Sequence, residues 1–209
     1  MILESNDLFF IKKFVTGYID TNSYLLCETG SRKAVLVDPG ADDPAIHEYI
    51  KSENLVLTCI INTHGHADHI MGNAGFAVPI FIHTLDEECL RDAEKNLSNS
   101  SGGVVIETSA ERTLKDEEII KLGRLDLKVL HTPGHSRGGI SIICGSNVFS
   151  GDTLFFEGIG RTDLHGGDYD AIISSIRNKL MVLPDEFRVF PGHGPETTIG
   201  HERFNNPYL

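Results

Sequence analysis

Apolar residues along this chain gather in short runs broken by polar turns rich in glycine, aspartate and proline. Runs with β-branched and aromatic residues predict strands over 8–15, 24–28, 34–37, 56–62, 79–82, 118–121, 125–131, 140–144, 148–150 and 188–190. The spacing changes to a helical period over 44–52, 68–75, 85–96 and 169–181. The stretch 98–103, SNSSGG, reads as a flexible loop that acts as a lid or has no role. Many strands interspersed with a few helices predict a sheet-rich α/β fold, two sheets with helices outside them. Neither a fixed-period repeat nor a Pro/Ser-rich linker divides the chain, so a single domain over 1–209 is expected.

Composition narrows the function classes. With 209 residues, 40% apolar and 23% charged, the chain is long enough to bury a sizeable core and too apolar to be disordered. Lys and Arg number 18 against 30 Asp and Glu, a net charge of −12. That balance disfavours nucleic acid and anionic membrane surfaces as partners. The opening MILESNDLFF has neither the basic nor the long apolar region of a secretion signal. No apolar run approaches the ~20 residues a membrane span needs. Cys27, Cys59, Cys89 and Cys144 form no CxxC pair and read as small buried hydrophobes in a reducing compartment. A cytoplasmic protein is expected.

Histidine carries the chemistry. Of the 10 histidines, three cluster just past the apolar run at 56–62, in Thr63-His64-Gly65-His66-Ala67-Asp68-His69. In an extended segment positions i, i+2 and i+4 share a face, so His64, His66 and Asp68 can converge on one point. His69 then points elsewhere, which suits a second ion. Three more places repeat one grammar of apolar strand, glycine turn and potential ligand: Thr132-Pro133-Gly134-His135, Gly151-Asp152 and Pro191-Gly192-His193. Glycine there permits unusual backbone angles and a close approach to an ion. Five histidines and two aspartates, without a thiolate, suit Zn²⁺, Fe or Mn²⁺. One tetrahedral zinc takes three or four ligands, so seven imply two divalent ions, zinc first among the three metals. Such ions lower the pKa of bound water from about 15.7 toward ~7 and make hydroxide available at neutral pH.

HxHxDH followed by TPGH, GD and PGH, in that order, resembles the metallo-β-lactamase superfamily over nearly the whole chain. The resemblance implies a four-layer αββα sandwich with a metal site at one edge of the sheets. It implies that His64, His66 and His135 hold one ion, that Asp68, His69 and His193 hold the other, and that Asp152 bridges them. B1-type β-lactamases carry cysteine where this chain has Asp152, and the longer RNA-processing branches carry an inserted domain absent here. The segments GDTLF…GRTDL…GGD and FPGHGP…TTIG…ER…NP are most similar to small glyoxalase II-like hydrolases.

That similarity implies hydrolysis of S-2-hydroxyacylglutathione thioesters by a hydroxide bridging the ions, with Asp68 both ligating and orienting the water. No Gly-x-Ser-x-Gly elbow supplies a protein nucleophile. Longer glyoxalase II enzymes append a glutathione-gripping helical domain, which is not expected within these 209 residues. Arg161, in a glycine-rich loop after Asp152, is the remaining anchor for a substrate carboxylate, with an ion pair to Asp163 as its equal alternative. Asn73 and His131 are candidates for orienting the ligands. His47, His165 and His201 read as surface residues, and His83 fits no site. A persulfide dioxygenase with one Fe(II) on His64, His135 and Asp152 is the main rival on the same fold, followed by a lactonase or phosphodiesterase. The sequence leaves the oligomeric state open.

Overall fold

The computed structural model describes residues 1–101 and 107–209. Its first sheet has seven strands in chain order: β1 (Ile2–Ser5), β2 (Phe9–Thr16), β3 (Thr21–Glu28), β4 (Lys33–Val37), β5 (Val56–Ile61), β6 (Ile80–His83) and β7 (Arg112–Leu114). The second sheet uses β8 (Ile119–Leu122), β9 (Leu125–His131), β10 (Ile140–Cys144), β11 (Asn147–Gly151), β14 (Arg188–Pro191) and β15 (Thr197–Thr198), in the order β15-β14-β11-β10-β9-β8. A small hairpin, β12 (Leu154–Phe155) with β13 (Gly158–Ile159), follows β11.

The alternation of side chains along the strands builds the layers. Phe9 and Ile11 of β2, Leu26 of β3 and Val35 and Val37 of β4 face the second sheet, where they meet Leu127, Val129, Ile142 and Phe149. Their neighbours Phe10, Leu25, Cys27, Ala34 and Leu36 face outward, beneath Ile46 of α1 (Pro44–Ser52) and Ile70 of α2 (Ala67–Ile70). On the far side of the second sheet, Leu130, Val148 and Val189 meet three helical segments. These are Ile172 of α4 (Tyr169–Ser175), Ile176 and Leu180 of the π-helical turn that continues it, and Ile199 of α5 (Ile199–Asn205). The result is the four-layer αββα sandwich. Strands covered on both faces have no polar side to show, which is why β3 is buried at all eight positions.

Several elements differ from expectation. The helix over 68–75 divides into α2 and a 3₁₀ turn at Asn73–Gly75, because the Gly72 amide turns to the Pro39 carbonyl. The helix over 85–96 is instead a 3₁₀ turn at Thr84–Leu90, with His83 Nδ1 accepting from the Leu85 amide at its start. Its apolar residues do not share a face: Leu90 is buried, whereas Leu85 is exposed. Within 98–103, Ser98–Ser101 forms one helical turn (α3) and residues 102–103 lie outside the described residues. The short strands β1, β7, β12, β13 and β15, and α5, were not expected. Among the described residues no helix is long and apolar enough to cross a membrane.

Candidate metal centre

Four strand ends open on the same rim. β5 leads into His64, His66, Asp68 and His69; β9 leads into His135; β11 leads into Asp152; and β14 leads into His193. β11 and β14 are parallel neighbours, which sets the turns carrying Asp152 and His193 side by side. A side chain at Gly192 would collide with Asp152 and with the His69 ring, so glycine is what lets the last turn pass this close.

The structure brings all seven expected residues together. Potential ligand atoms lie within 4.8 Å of one another in three groups: His64, His66 and His135; His64, His69 and Asp152; and Asp68, His69 and His193. Asp152 faces both sides, with Oδ1 3.3 Å from His69 Nε2 and Oδ2 3.5 Å from His135 Nε2 and 3.7 Å from His193 Nε2. Asp68 Oδ2 accepts from His193 Nε2 at 3.1 Å and from the Thr21 hydroxyl at 3.2 Å.

The donor set fits cations. Among the described residues, His64 Nε2, His69 Nε2 and Asp152 Oδ1 are buried without a hydrogen-bond partner; His69 Nε2 has two carboxylates nearby, but they are not aligned to pair with it. Buried polar atoms are rarely left unpaired, and cations coordinated by these atoms would supply what each lacks.

The opposite imidazole nitrogens are occupied, which sets ring orientation. His69 Nδ1 donates to Asp38 Oδ2 at 3.0 Å, and His135 Nδ1 donates to the Arg161 carbonyl at 2.8 Å. His64 Nδ1 lies 3.2 Å from the Thr63 hydroxyl. Asp38 also accepts from the Thr63 amide (2.7 Å) and hydroxyl (2.6 Å). The sequence reading missed Asp38, although Val37-Asp38-Pro39-Gly40 repeats the strand-and-glycine-turn grammar.

The electrostatics divide the cluster in two. Burial, with His135 next, pushes His66 down to about 3, and burial with the neighbouring histidines pushes His64 well down too. On the other side burial opposes the charged forms, but the carboxylates and imidazoles overcome it. Asp68, Asp152 and Asp38 hold His69 well above its ordinary value, and His69 helps hold Asp152 down to about 2. The His64–His66–His135 group offers nitrogen ligands alone; the Asp68–His69–His193 group adds a carboxylate.

The remaining expected residues lie further out. Arg161 forms a two-point ion pair with Asp163, both bonds 2.7 Å and both side chains exposed, and reaches the centre through its carbonyl. Asn73 pairs with Asn62, whose amide donates to the His69 carbonyl, so it bears on the ligands through one intermediary. His131 is not brought to the ligands. Its Nε2 donates to the Arg137 carbonyl and its ring stacks on His83 at 4.1 Å, because β9 ends there and the chain needs four more residues to reach His135. His47 and His201 pair at the surface with Asp42 and Glu157.

Over the ligands lies a cavity of about 540 Å³. Its walls are apolar, formed by Tyr18, Ile19, Leu97, Phe155, Ile159 and Leu164, and Arg161 is its cation. Tyr18 and Ile19, at the β2–β3 turn, are about half exposed.

A sequence profile of the metallo-beta-lactamase superfamily matches residues 16–193, the stretch that carries all seven residues. The chain belongs to that superfamily. Among its members, the probable metallo-hydrolase YqgX of Bacillus subtilis (strain 168) is 35% identical over 205 residues, 95% of this chain and 96% of the relative. The hydroxyacylglutathione hydrolase GloC of Haemophilus influenzae is 36% identical over 186 residues, 85% of this chain and 88% of the relative. Of solved structures, BLEG-1 B3 metallo-beta-lactamase superposes with a TM-score of 0.89 at 39% identity, covering 95% of this chain and 99% of that one. TTHA1623 in a di-iron-bound form gives 0.84 at 35% identity, covering 95% and 100%. ETHE1 from Myxococcus xanthus gives 0.79 at 28%, covering 94% and 83%.

Proposed function

We propose that this superfamily member is a metal-dependent hydrolase that cleaves a thioester of the S-2-hydroxyacylglutathione kind, as glyoxalase II does. The observation that carries the reading is the meeting of two ligand groups at Asp152 beneath one apolar-walled cavity. Similarity to a hydroxyacylglutathione hydrolase supports the choice of thioester. His64, His66 and His135 would hold one divalent ion, Asp68, His69 and His193 the other, with Asp152 shared. Bound ions would supply Lewis acidity toward a carbonyl and acidify water at neutral pH.

The chain's own residues do the rest. Asp68, fixed by Thr21 and His193, orients the attacking water. Tyr18, Ile19, Phe155 and Ile159 seat the apolar part of the substrate and exclude bulk solvent. Arg161 at the rim takes a substrate carboxylate by giving up Asp163, an exposed pair that costs little to break. No cysteine competes as nucleophile, since burial raises Cys27 and Cys59 to about 11 and Cys89 and Cys144 to about 12. Zinc is the first choice of metal, with iron or manganese as alternatives. The reaction is placed in the cytoplasm, with a small molecule as partner and neither nucleic acid nor membrane.

A second reading, an Fe(II) persulfide dioxygenase, draws on the likeness to ETHE1. Its triad of His64, His135 and Asp152 would leave the compact group of Asp68, His69 and His193 without an ion. Metal per chain, measured first, separates the two. About two ions with turnover of S-D-lactoylglutathione supports the hydrolase. One iron with oxygen uptake on a glutathione persulfide replaces it, and a β-lactam run in parallel tests the likeness to BLEG-1.

A further inference from the structure

Asp86 sits in the 3₁₀ turn at Thr84–Leu90, outside every motif discussed so far, and is only 2% exposed. Its carboxylate has no cationic partner among the described residues. Instead it accepts three hydrogen bonds from two separate loops: the Gly65 amide at 3.0 Å and the Ser136 hydroxyl at 2.7 Å on Oδ2, and the Gly138 amide at 2.6 Å on Oδ1. Gly65 lies between His64 and His66, and Ser136 follows His135. One buried carboxylate therefore ties together the two loops that supply the His64–His66–His135 group. A side chain at Gly138 would stand 2.6 Å from the Asp86 carboxyl carbon, so the loop passes here only as glycine. Among the described residues, Asp86 makes no hydrogen bond to Asp68, His69 or His193.

A buried carboxyl group on which several donors converge is satisfied by them, and those donors are in turn fixed by it. We propose that Asp86 is a positioning residue that holds His64, His66 and His135 in mutual register, and so sets the affinity of that group, and not of the Asp68–His69–His193 group, for a divalent ion. The inference rests on the metal-centre reading above.

Asp86→Asn keeps the shape but turns an acceptor into a donor. Whichever oxygen the new NH₂ replaces, it faces an amide N–H or a hydroxyl already donating. Ser136→Ala removes a single donor and is the milder variant. Zn²⁺ binding to the metal-stripped full chain is titrated by calorimetry, in the wild-type background and in His193→Ala and His66→Ala, which leave the first or the second group alone intact.

Asp86→Asn is expected to weaken Zn²⁺ about 10–100-fold in the His193→Ala background. It is expected to leave affinity unchanged in the His66→Ala background. Ser136→Ala should shift the same group in the same direction by less, and carries the test alone if Asp86→Asn does not fold. Equal weakening of both groups means general support rather than positioning, and overturns the proposal; so do unchanged affinities. Wild-type protein that takes up no Zn²⁺ overturns the metal-centre reading itself, whereas normal uptake insensitive to Asp86 and Ser136 overturns only this inference.

Discussion

Asp38 Oδ2 accepts the Nδ1–H of His69 at 3.0 Å, and this leaves the other nitrogen of a fully buried ring aimed between Asp68 and Asp152. Asp38 is itself pinned by both donors of Thr63, the residue just before the histidine cluster. Asp38→Asn keeps size and tolerates the left-handed backbone there (φ 49°), but loses the charge that polarises the ring. We expect retained zinc after dialysis to fall, with affinity reduced about 10–100-fold. Full retention would mean that Asp38 does not tune His69.

Removing the ions should cost stability. Ligand groups left buried and unpaired gain nothing from folding, whereas ions that bind only the folded chain add roughly 4 kcal/mol at 1,000 times their Kd. Chelation should lower Tm, and added zinc should restore it. A melting curve indifferent to both would contradict a built metal centre.

Glu28 ends β3 in the first sheet and grips the β8–β9 turn of the second. The Ser31 hydroxyl and amide, then Arg124, hold its carboxyl down to about 2 from an ordinary 4.5. A depressed carboxyl stabilises the fold in full above pH 4.5 and loses that contribution as pH falls toward 2. Glu28→Gln should therefore lower the urea midpoint at pH 6, with the gap to wild type closing as pH falls through about 2. A gap that stays constant with pH would assign the effect to packing.

Tyr18→Ser with Ile19→Ser removes half-exposed apolar surface from the cavity wall. Such surface is worth about 1–3 kcal/mol to a bound apolar group, so kcat/KM for an apolar thioester should fall about 10–200-fold. Tm should move little, as for other exposed substitutions. Unchanged kinetics would show that substrate does not reach this turn.

The parts of this molecule legible in its sequence are those encoded locally. His64, His66, Asp68, His69, His135, Asp152 and His193 follow strand ends within a few residues of a glycine, so each can be found from a short stretch of chain. Asp38 shares that grammar but acts through His69, so reading for ligands alone passes it by. Asp86 is invisible to any local reading, because its donors lie on loops brought to it only by the fold. Its turn was expected to be part of a helix over 85–96, but the chain keeps only a 3₁₀ turn there, with Leu90 buried and Leu85 exposed. His131 failed for the converse reason: closeness in sequence to His135 is not closeness in space when a strand ends between them.

The sandwich buries both faces of the strands that end at the metal-ligand rim, whereas the cavity walls come from the β2–β3 turn, Leu97, the β12–β13 hairpin and the segment around Leu164. Reactivity and selectivity are thus written on separate parts of the chain. A lineage could exchange one substrate for another by rewriting Tyr18, Ile19, Phe155, Ile159 and Leu164 while inheriting the ligand rim intact. This architecture makes retargeting a matter of surface turns.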